Sequence, residues 1–197
     1  QLLEHQSIDI LCISETWLRA NITDRVLVFP GYNISRQDRV IPRGSRGIVR
    51  GGGVAILTRN HLRVTRIELG GSDSSLESLW LSVTGPGRRT VVVGAIYRPL
   101  AAPAARGLEL IREQFQSAAA TCKPVIVLGD FNINMLETEA PNTRRLSTVL
   151  NDLGLRQLVK QATHLEPTPT LLDLAITNLS DPQVAARILS EPVADHL

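Results

Sequence analysis

With 197 residues, 43% of them hydrophobic and 20% charged, and a formal net charge of +2, the chain has the make-up of one globular domain with a substantial core. No apolar run approaches the ~18 residues of a membrane helix, because Thr90 to Tyr97 is broken at once by Arg98-Pro99. A membrane-spanning protein is excluded on this reading, and no internal repeat, low-complexity tract or interior linker appears.

The chain opens at Gln1 without a methionine or a signal-like apolar core, so it is expected to be a piece of something longer and not to be addressed for export. Its cysteines, Cys12 and Cys122, sit beside apolar stretches and read as buried thiols rather than as a disulfide or a metal pair, which fits a reducing compartment.

Ile8 to Ile13 is nearly all apolar and β-prone and predicts an inner strand. Ser14-Glu15-Thr16-Trp17 follows directly, placing a carboxylate at a strand end; taken alone, Glu15 reads first as a capping or surface acid and only second as a metal ligand. Gly31 to Arg36 predicts a second strand. After it Arg36, Arg39, Arg43, Arg46 and Arg50 fall in one stretch, readable as a solvated loop or as a phosphate-contacting one. Of the 21 basic residues only Lys123 and Lys160 are lysine, a bias compatible with a nucleic-acid partner because arginine's planar fork matches phosphate oxygens.

Gly51-Gly-Gly-Val-Ala-Ile-Leu57 lacks the Gly-Lys-Ser/Thr ending of a phosphate-binding loop and reads as a tight approach into a strand. Leu62 to Leu69 alternates weakly; Leu79, Leu81 and Val83 share one face of the next strand, with Ser78, Trp80 and Ser82 on the other. Val91 to Tyr97 is an inner strand ending in Tyr97-Arg98-Pro99. Leu108, Ile111, Phe115 and Ala119 lie at helical spacing within Arg106 to Ala120. Asn142 is placed to cap a second helix with Leu146, Val149, Leu150 and Leu153 inside and Gly154 ending it. A proline-interrupted loop, Thr163 to Thr170, precedes the strand Leu171 to Thr177, whose single charge, Asp173, needs a partner. Val184 to Leu189 predicts a last strand.

The stretch that organises the rest is Lys123-Pro-Val-Ile-Val-Leu-Gly-Asp-Phe-Asn132. A short β-prone run is opened by proline and closed by glycine, so it reads as a buried strand that stops abruptly. In an extended chain Asp130 and Asn132 leave from one side and Phe131 turns to the core, so a carboxylate and an amide converge. That pair suits a phosphodiester: the carboxylate orients a water or meets a proton, and the amide donates to a phosphoryl oxygen. Alone it is only suggestive, since Asp and Asn are ordinary turn formers. Many short strands, two covering helices and frequent turns predict a two-layer β-sandwich flanked by helices, of α/β or α+β class. If the strand ends gather on one rim, Glu15, Tyr97, Asp130, Asn132, Asp173, Asp195 and His196 become neighbours.

The ordered set Ser-Glu-Thr-Trp, Arg36-Gln-Asp-Arg39 leading to Gly-Gly-Gly-Val-Ala-Ile, Tyr-Arg-Pro, Gly-Asp-Phe-Asn, Thr170-Leu-Leu-Asp-Leu and a terminal Asp-His resembles the endonuclease/exonuclease/phosphatase superfamily. Within it, the chain looks most like the apurinic-type endonuclease domain of non-LTR retrotransposon polyproteins. The resemblance covers nearly the whole chain, residues 1–197 as one domain of DNase-like fold. It implies that Glu15 holds a divalent metal, normally Mg²⁺ with Mn²⁺ as the alternative, and that Asp195 contributes to the metal region. His196 would be the general base or charge-stabilising histidine, oriented by Asp173. Asp130 would orient the attacking water or assist the leaving group, Asn132 would contact the phosphate, and Tyr97 would donate to a non-bridging oxygen. Arg36, Arg39 and Arg98 would hold the DNA backbone, with Thr163 at the same rim.

The implied reaction nicks one DNA strand and leaves a 3′-hydroxyl that primes reverse transcription. Its partners would be DNA and a reverse transcriptase domain of the parent polyprotein, in the nucleus. The pattern departs from the family at three points. An early Asn-containing strand is missing, the chain stops one residue after His196, and Ala194 stands where many relatives carry serine. These imply a domain truncated at both ends, lacking its first and last strands, and poorly folded or weakly active alone. A phosphatase of the same superfamily, a decayed DNA-binding relic, and an ordinary sandwich with turn and capping residues are the competing readings.

Overall fold

The computed structural model describes residues 7–40, 51–71 and 73–189, as a mixed α/β structure in which two sheets face each other. Among these residues the smaller sheet has the order β1-β3-β2, formed by Ile10–Ser14 (β1), Tyr32–Gln37 (β2) and Val54–Arg59 (β3). The larger has the order β4-β5-β6-β7-β9-β8, from Arg63–Ile67 (β4), Glu77–Thr84 (β5), Thr90–Tyr97 (β6), Val125–Asp130 (β7), Arg156–Gln157 (β8) and Asp173–Thr177 (β9). β6 and β7 run parallel because helix Ala104–Ala120 (α1) makes the crossover between them. A second helix, Pro141–Asp152 (α2), lies between β7 and β8.

The alternation seen along β5 separates two cores rather than a core from solvent. Leu79, Leu81 and Val83 meet Val54 and Ile56 of β3 and Val93 and Ala95 of β6 between the sheets. Trp80 faces the other way and is also buried, in a second core with Phe115 and Ile111 of α1 and Leu146 and Leu150 of α2. Trp80, Phe115 and Phe131 pack edge to face in series, with ring centroids 6.1 Å and 6.4 Å apart. Each such fully buried side chain stabilises the fold by roughly 1.5–3 kcal/mol. The Trp80 indole donates to Gln114 Oε1 at 2.8 Å, so the polar edge buried under α1 is satisfied.

Five expectations are corrected. β1 is an edge strand of the small sheet among the described residues, not an inner one. Val184 to Leu189 pairs with no strand there; half-buried or exposed along its length, it lines a cavity of about 540 Å³ against β1, β7 and β9, so the run is a cavity wall and not a ladder. α2 begins at Pro141 with Ala140 as N-cap, because proline's fixed φ suits the first helical position and places Asn142 one residue inside. Cys122 is exposed just beyond α1, whereas Cys12 lines the cavity wall, where the surrounding protein desolvates the thiolate and pushes its pKa up to about 12. Both thiols are free, as expected. On α1 the inner stripe takes Ala118 in place of Ala119.

Candidate active site

Three adjacent strands of the large sheet bring Tyr97, Asp130 and Asp173 level with one another. Tyr97 ends β6 opposite Asp130 in the parallel ladder, and Asp130 is in turn paired with Asp173 in the antiparallel ladder to β9. From the facing sheet, Glu15 reaches the same rim and accepts a hydrogen bond from the Tyr97 hydroxyl. Among the described residues Glu15, Tyr97, Asp130 and Asp173 thus lie at strand ends on one rim.

The segment behind β1 is held by the triple glycine in front of β3. Thr16 N–H donates to Gly53 O at 3.1 Å and Trp17 N–H to Gly52 O at 2.9 Å. Glu15 and Trp17 lie in left-handed backbone, at φ +55° and +57°. Gly52 must be glycine on two counts: its φ is +81°, and a Cβ would sit 2.2 Å from Arg39 Nε. Arg39 is ion-paired with the buried Glu77, which also accepts from Gly53 N–H, and its guanidinium lies 5.7 Å from the Tyr97 ring centroid. Burial opposes the charge on Arg39, but the hydrogen bond and charge of Glu77 outweigh it and hold the guanidinium above its ordinary pKa. Burial, then the hydrogen bond and charge of Glu15, push the Tyr97 phenol well above the usual tyrosine range, against a smaller opposite effect of Arg39.

On the other side of the rim Asp130 and Asn132 converge, though not by strand alternation. Asn132 has φ +47°, so the chain turns there: Asp130 Oδ1 accepts from Asn132 N–H at 2.8 Å, and Oδ2 from its side-chain amide at 3.1 Å. The same amide donates to Arg98 O at 2.9 Å. Both N–H bonds of the Asn132 amide are therefore used inside the protein, so Asn132 fixes Asp130 in place. Phe131 is fully buried, as expected. Gly129 permits the close strand approach: its φ is +152°, and a Cβ would lie 1.8 Å from Ile96 O.

The arginines expected on the DNA backbone are committed within the chain. Arg98 is buried and donates to Phe131 O and Pro99 O as well as to Asn132 O; burial lowers its pKa, with Asp130 and Tyr97 opposing. It braces the Asp130 turn from beneath. Arg36 Nε lies 2.7 Å from Asp24 and 3.7 Å from Asp38, with its side chain 12% exposed. Thr163 is buried and its hydroxyl oxygen accepts from the backbone N–H of Asp173 at 3.1 Å and of Leu172 at 3.3 Å, which aligns the start of β9. Asp173 is half-buried at the mouth of the cavity. Asp195, His196 and Ala194 lie outside the described residues, as do Arg43, Arg46 and Arg50.

Sequence reasoning missed Glu77 and the role of Gly129. The signal for Glu77 was the one that singled out Asp173: an isolated charge amid Leu76, Leu79 and Leu81 demands a partner. Glu15 is exposed, and each of its carboxylate oxygens accepts one hydrogen bond, from Tyr97 and from Trp17 Nε1 at 3.0 Å, leaving further lone pairs. This hard oxygen donor set fits a cation that takes one or two carboxylates and keeps its waters. Among the described residues no three His, Cys, Asp or Glu side chains cluster as an all-protein cage would need.

The two facing sheets thus gather carboxylates, a phenol and an Asp–Asn turn on one strand-end rim. The sequence matches the model of the Endonuclease/Exonuclease/phosphatase family over residues 1–182, and the chain belongs to that family, whose enzymes typically use divalent metals. The fold is similar to the endonuclease domain of TRAS1, a telomere-specific non-LTR retrotransposon, at TM-score 0.61 and 16% identity, covering 85% of this chain and 71% of that one. It is similar to the catalytic domain of human Nocturnin at TM-score 0.56 and 16% identity, covering 86% and 69%. ANGEL2, a 2′,3′-cyclic phosphatase, matches at TM-score 0.57 and 12% identity, covering 89% and 71%. No curated protein sequence matches the chain. Among the described residues no helix is long and apolar enough to cross a membrane.

Proposed function

We propose that the chain is a Mg²⁺-dependent DNA endonuclease domain of a non-LTR retrotransposon polyprotein, nicking one strand to leave a 3′-hydroxyl that primes the reverse transcriptase of the same polyprotein in the nucleus. The observation that carries this reading is the meeting of Glu15 and Tyr97 at the strand end level with the Asp130–Asn132 turn. The likeness to the TRAS1 endonuclease domain supports the choice within the family.

On this reading Glu15 and Asp195 would hold the metal, which would supply positive charge against that developing on the phosphate and leaving oxygen. Tyr97 has a single O–H, kept protonated by its surroundings, which passes from Glu15 to a non-bridging phosphate oxygen when substrate is seated. Asp130, held by the Asn132 amide and backbone, orients the attacking water or receives the proton at the leaving side. Asp173, aligned by Thr163, orients His196, which stabilises charge at the scissile phosphate. Asn132, Arg98, Arg39 and Glu77 position these groups without touching substrate.

The test is relaxation of supercoiled plasmid in Mg²⁺, followed by extension of the nick by a DNA polymerase. Relaxed circles that extend directly, and that are lost in Glu15→Ala and His196→Ala, are expected. Hydrolysis of inositol phosphates with no plasmid cleavage would replace this reading by the phosphatase one. Metal-independent binding without cleavage would replace it by that of a decayed relic.

A further inference from the structure

Trp17 has no place in the chemistry above, yet it is built into the rim at a cost. Its φ of +57° puts a bulky residue in left-handed backbone, a conformation that costs about 1–2 kcal/mol and that glycine or asparagine would adopt more readily. The residue is 56% exposed, whereas the other tryptophan, Trp80, is 3% exposed in the core. The ring is not loose: Nε1 donates to Glu15 Oε2 at 3.0 Å, and the backbone N–H is fixed on Gly52 O at 2.9 Å. Its polar edge is therefore turned to the carboxylate, while more than half of its surface remains open to solvent. The carboxylate that pins it is the one that accepts from Tyr97, which places the ring beside the proposed phosphate position.

A pinned, exposed aromatic surface beside a phosphate subsite is a stacking platform. We propose that Trp17 stacks on an unstacked nucleobase flanking the phosphate at the Glu15–Tyr97 rim, so that the site takes a nucleic-acid strand rather than a base-free phosphate ester. The proposal rests on the nuclease reading and adds to it a base-binding subsite. Stacking of this kind tolerates any base, because every base has a π-face, and it contributes to affinity independently of the metal.

Binding of a dodecamer of thymidylate, compared with a dodecamer of the same phosphates carrying abasic sites throughout, tests this in EDTA. Trp17 supplies the one exposed indole among the described residues, so tryptophan fluorescence reports its contact directly. The thymidylate oligomer is expected to quench wild type and the abasic oligomer to leave it unquenched. Trp17→Leu is expected to bind thymidylate about tenfold more weakly or worse, with Trp17→Tyr restoring most of the affinity. Thermal melting of each variant shows that it is folded. If Trp17→Leu binds thymidylate as wild type does, or the abasic oligomer binds and quenches equally, the stacking subsite is wrong while the nuclease reading stands. If wild type binds neither oligomer, the stacking subsite is wrong, and the nuclease reading is decided separately by plasmid nicking in Mg²⁺.

Discussion

Glu15 and Asp130 occupy matching places in the chain, each at the C-terminal end of an apolar strand, but they are held in different ways. Asp130 is the last residue of β7, in register with Tyr97 on one side and Asp173 on the other, and nearly all of it is buried. Its carboxylate is closed in a turn with Asn132, and Arg98 braces that turn through two of its carbonyls, Phe131 O and Asn132 O. Glu15 lies one residue past β1 in left-handed backbone, is exposed, and leans on a loop whose geometry depends on three glycines and a buried ion pair. One carboxylate is fixed by the sheet itself, the other by a scaffold laid beside the sheet. The difference suits the proposed roles: a group that directs a proton needs fixed geometry, while a metal ligand needs free lone pairs in water.

The largest expected effect breaks the sheet-built side. Gly129→Ala sets a Cβ against Ile96 O in a backbone conformation that alanine does not share, and should cost more than about 4 kcal/mol of stability in urea denaturation. A loss under about 1 kcal/mol would mean that β6 and β7 separate easily at the rim. The scaffolded side breaks at Glu77. Glu77→Ala leaves the Arg39 guanidinium without its ion pair and the Gly53 N–H without its acceptor, and should cost about 3 kcal/mol. Metal affinity, read by titration, should fall with it because the Glu15 loop loosens, whereas the Asp130 turn is untouched.

A smaller effect sharpens the link between the two sides, through Tyr97. Its folded-state pKa lies above the ordinary tyrosine value of 10.0, so above that pH the folded state binds more protons than the unfolded one. The stabilisation is present in full below pH ~10 and is lost as pH rises beyond it. Tyr97→Phe should therefore lose stability less steeply than wild type in alkali. In a Tyr32→Phe background, tyrosinate absorbance should rise only as the chain unfolds. Ionisation of Tyr97 in the folded protein at ordinary tyrosine pH would show that Glu15 and burial do not act on it.

The sheet-built side was largely legible in the sequence and the scaffolded side only in part. Val125 to Leu128 followed by Gly-Asp-Phe-Asn states a strand, a stop and a pair of polar groups in consecutive residues, and the fold keeps them together. The converging geometry was expected from alternation, whereas the φ of Asn132 makes it a turn, and that turn uses up both amide N–H bonds. Composition cannot show such a commitment: an arginine reads as surface charge until its acceptors are known. Arg98 and Arg39 find theirs in carbonyls and a carboxylate far away in the chain, under the site. Val184 to Leu189 misled for a related reason, since an apolar run does not state whether it joins a ladder, and this one borders a cavity without pairing.

The central claim is that the two sides act on one phosphate. A double-mutant cycle on plasmid nicking in Mg²⁺ measures this directly, with Glu15→Gln, Asp130→Asn and the double variant, each verified as folded by thermal melting. Each single change should lower the nicking rate by about 100-fold or more, and the double variant should fall no more than about tenfold below the slower single. Losses that multiply in full in the double variant, or a single variant that nicks at the wild-type rate, would contradict a shared site.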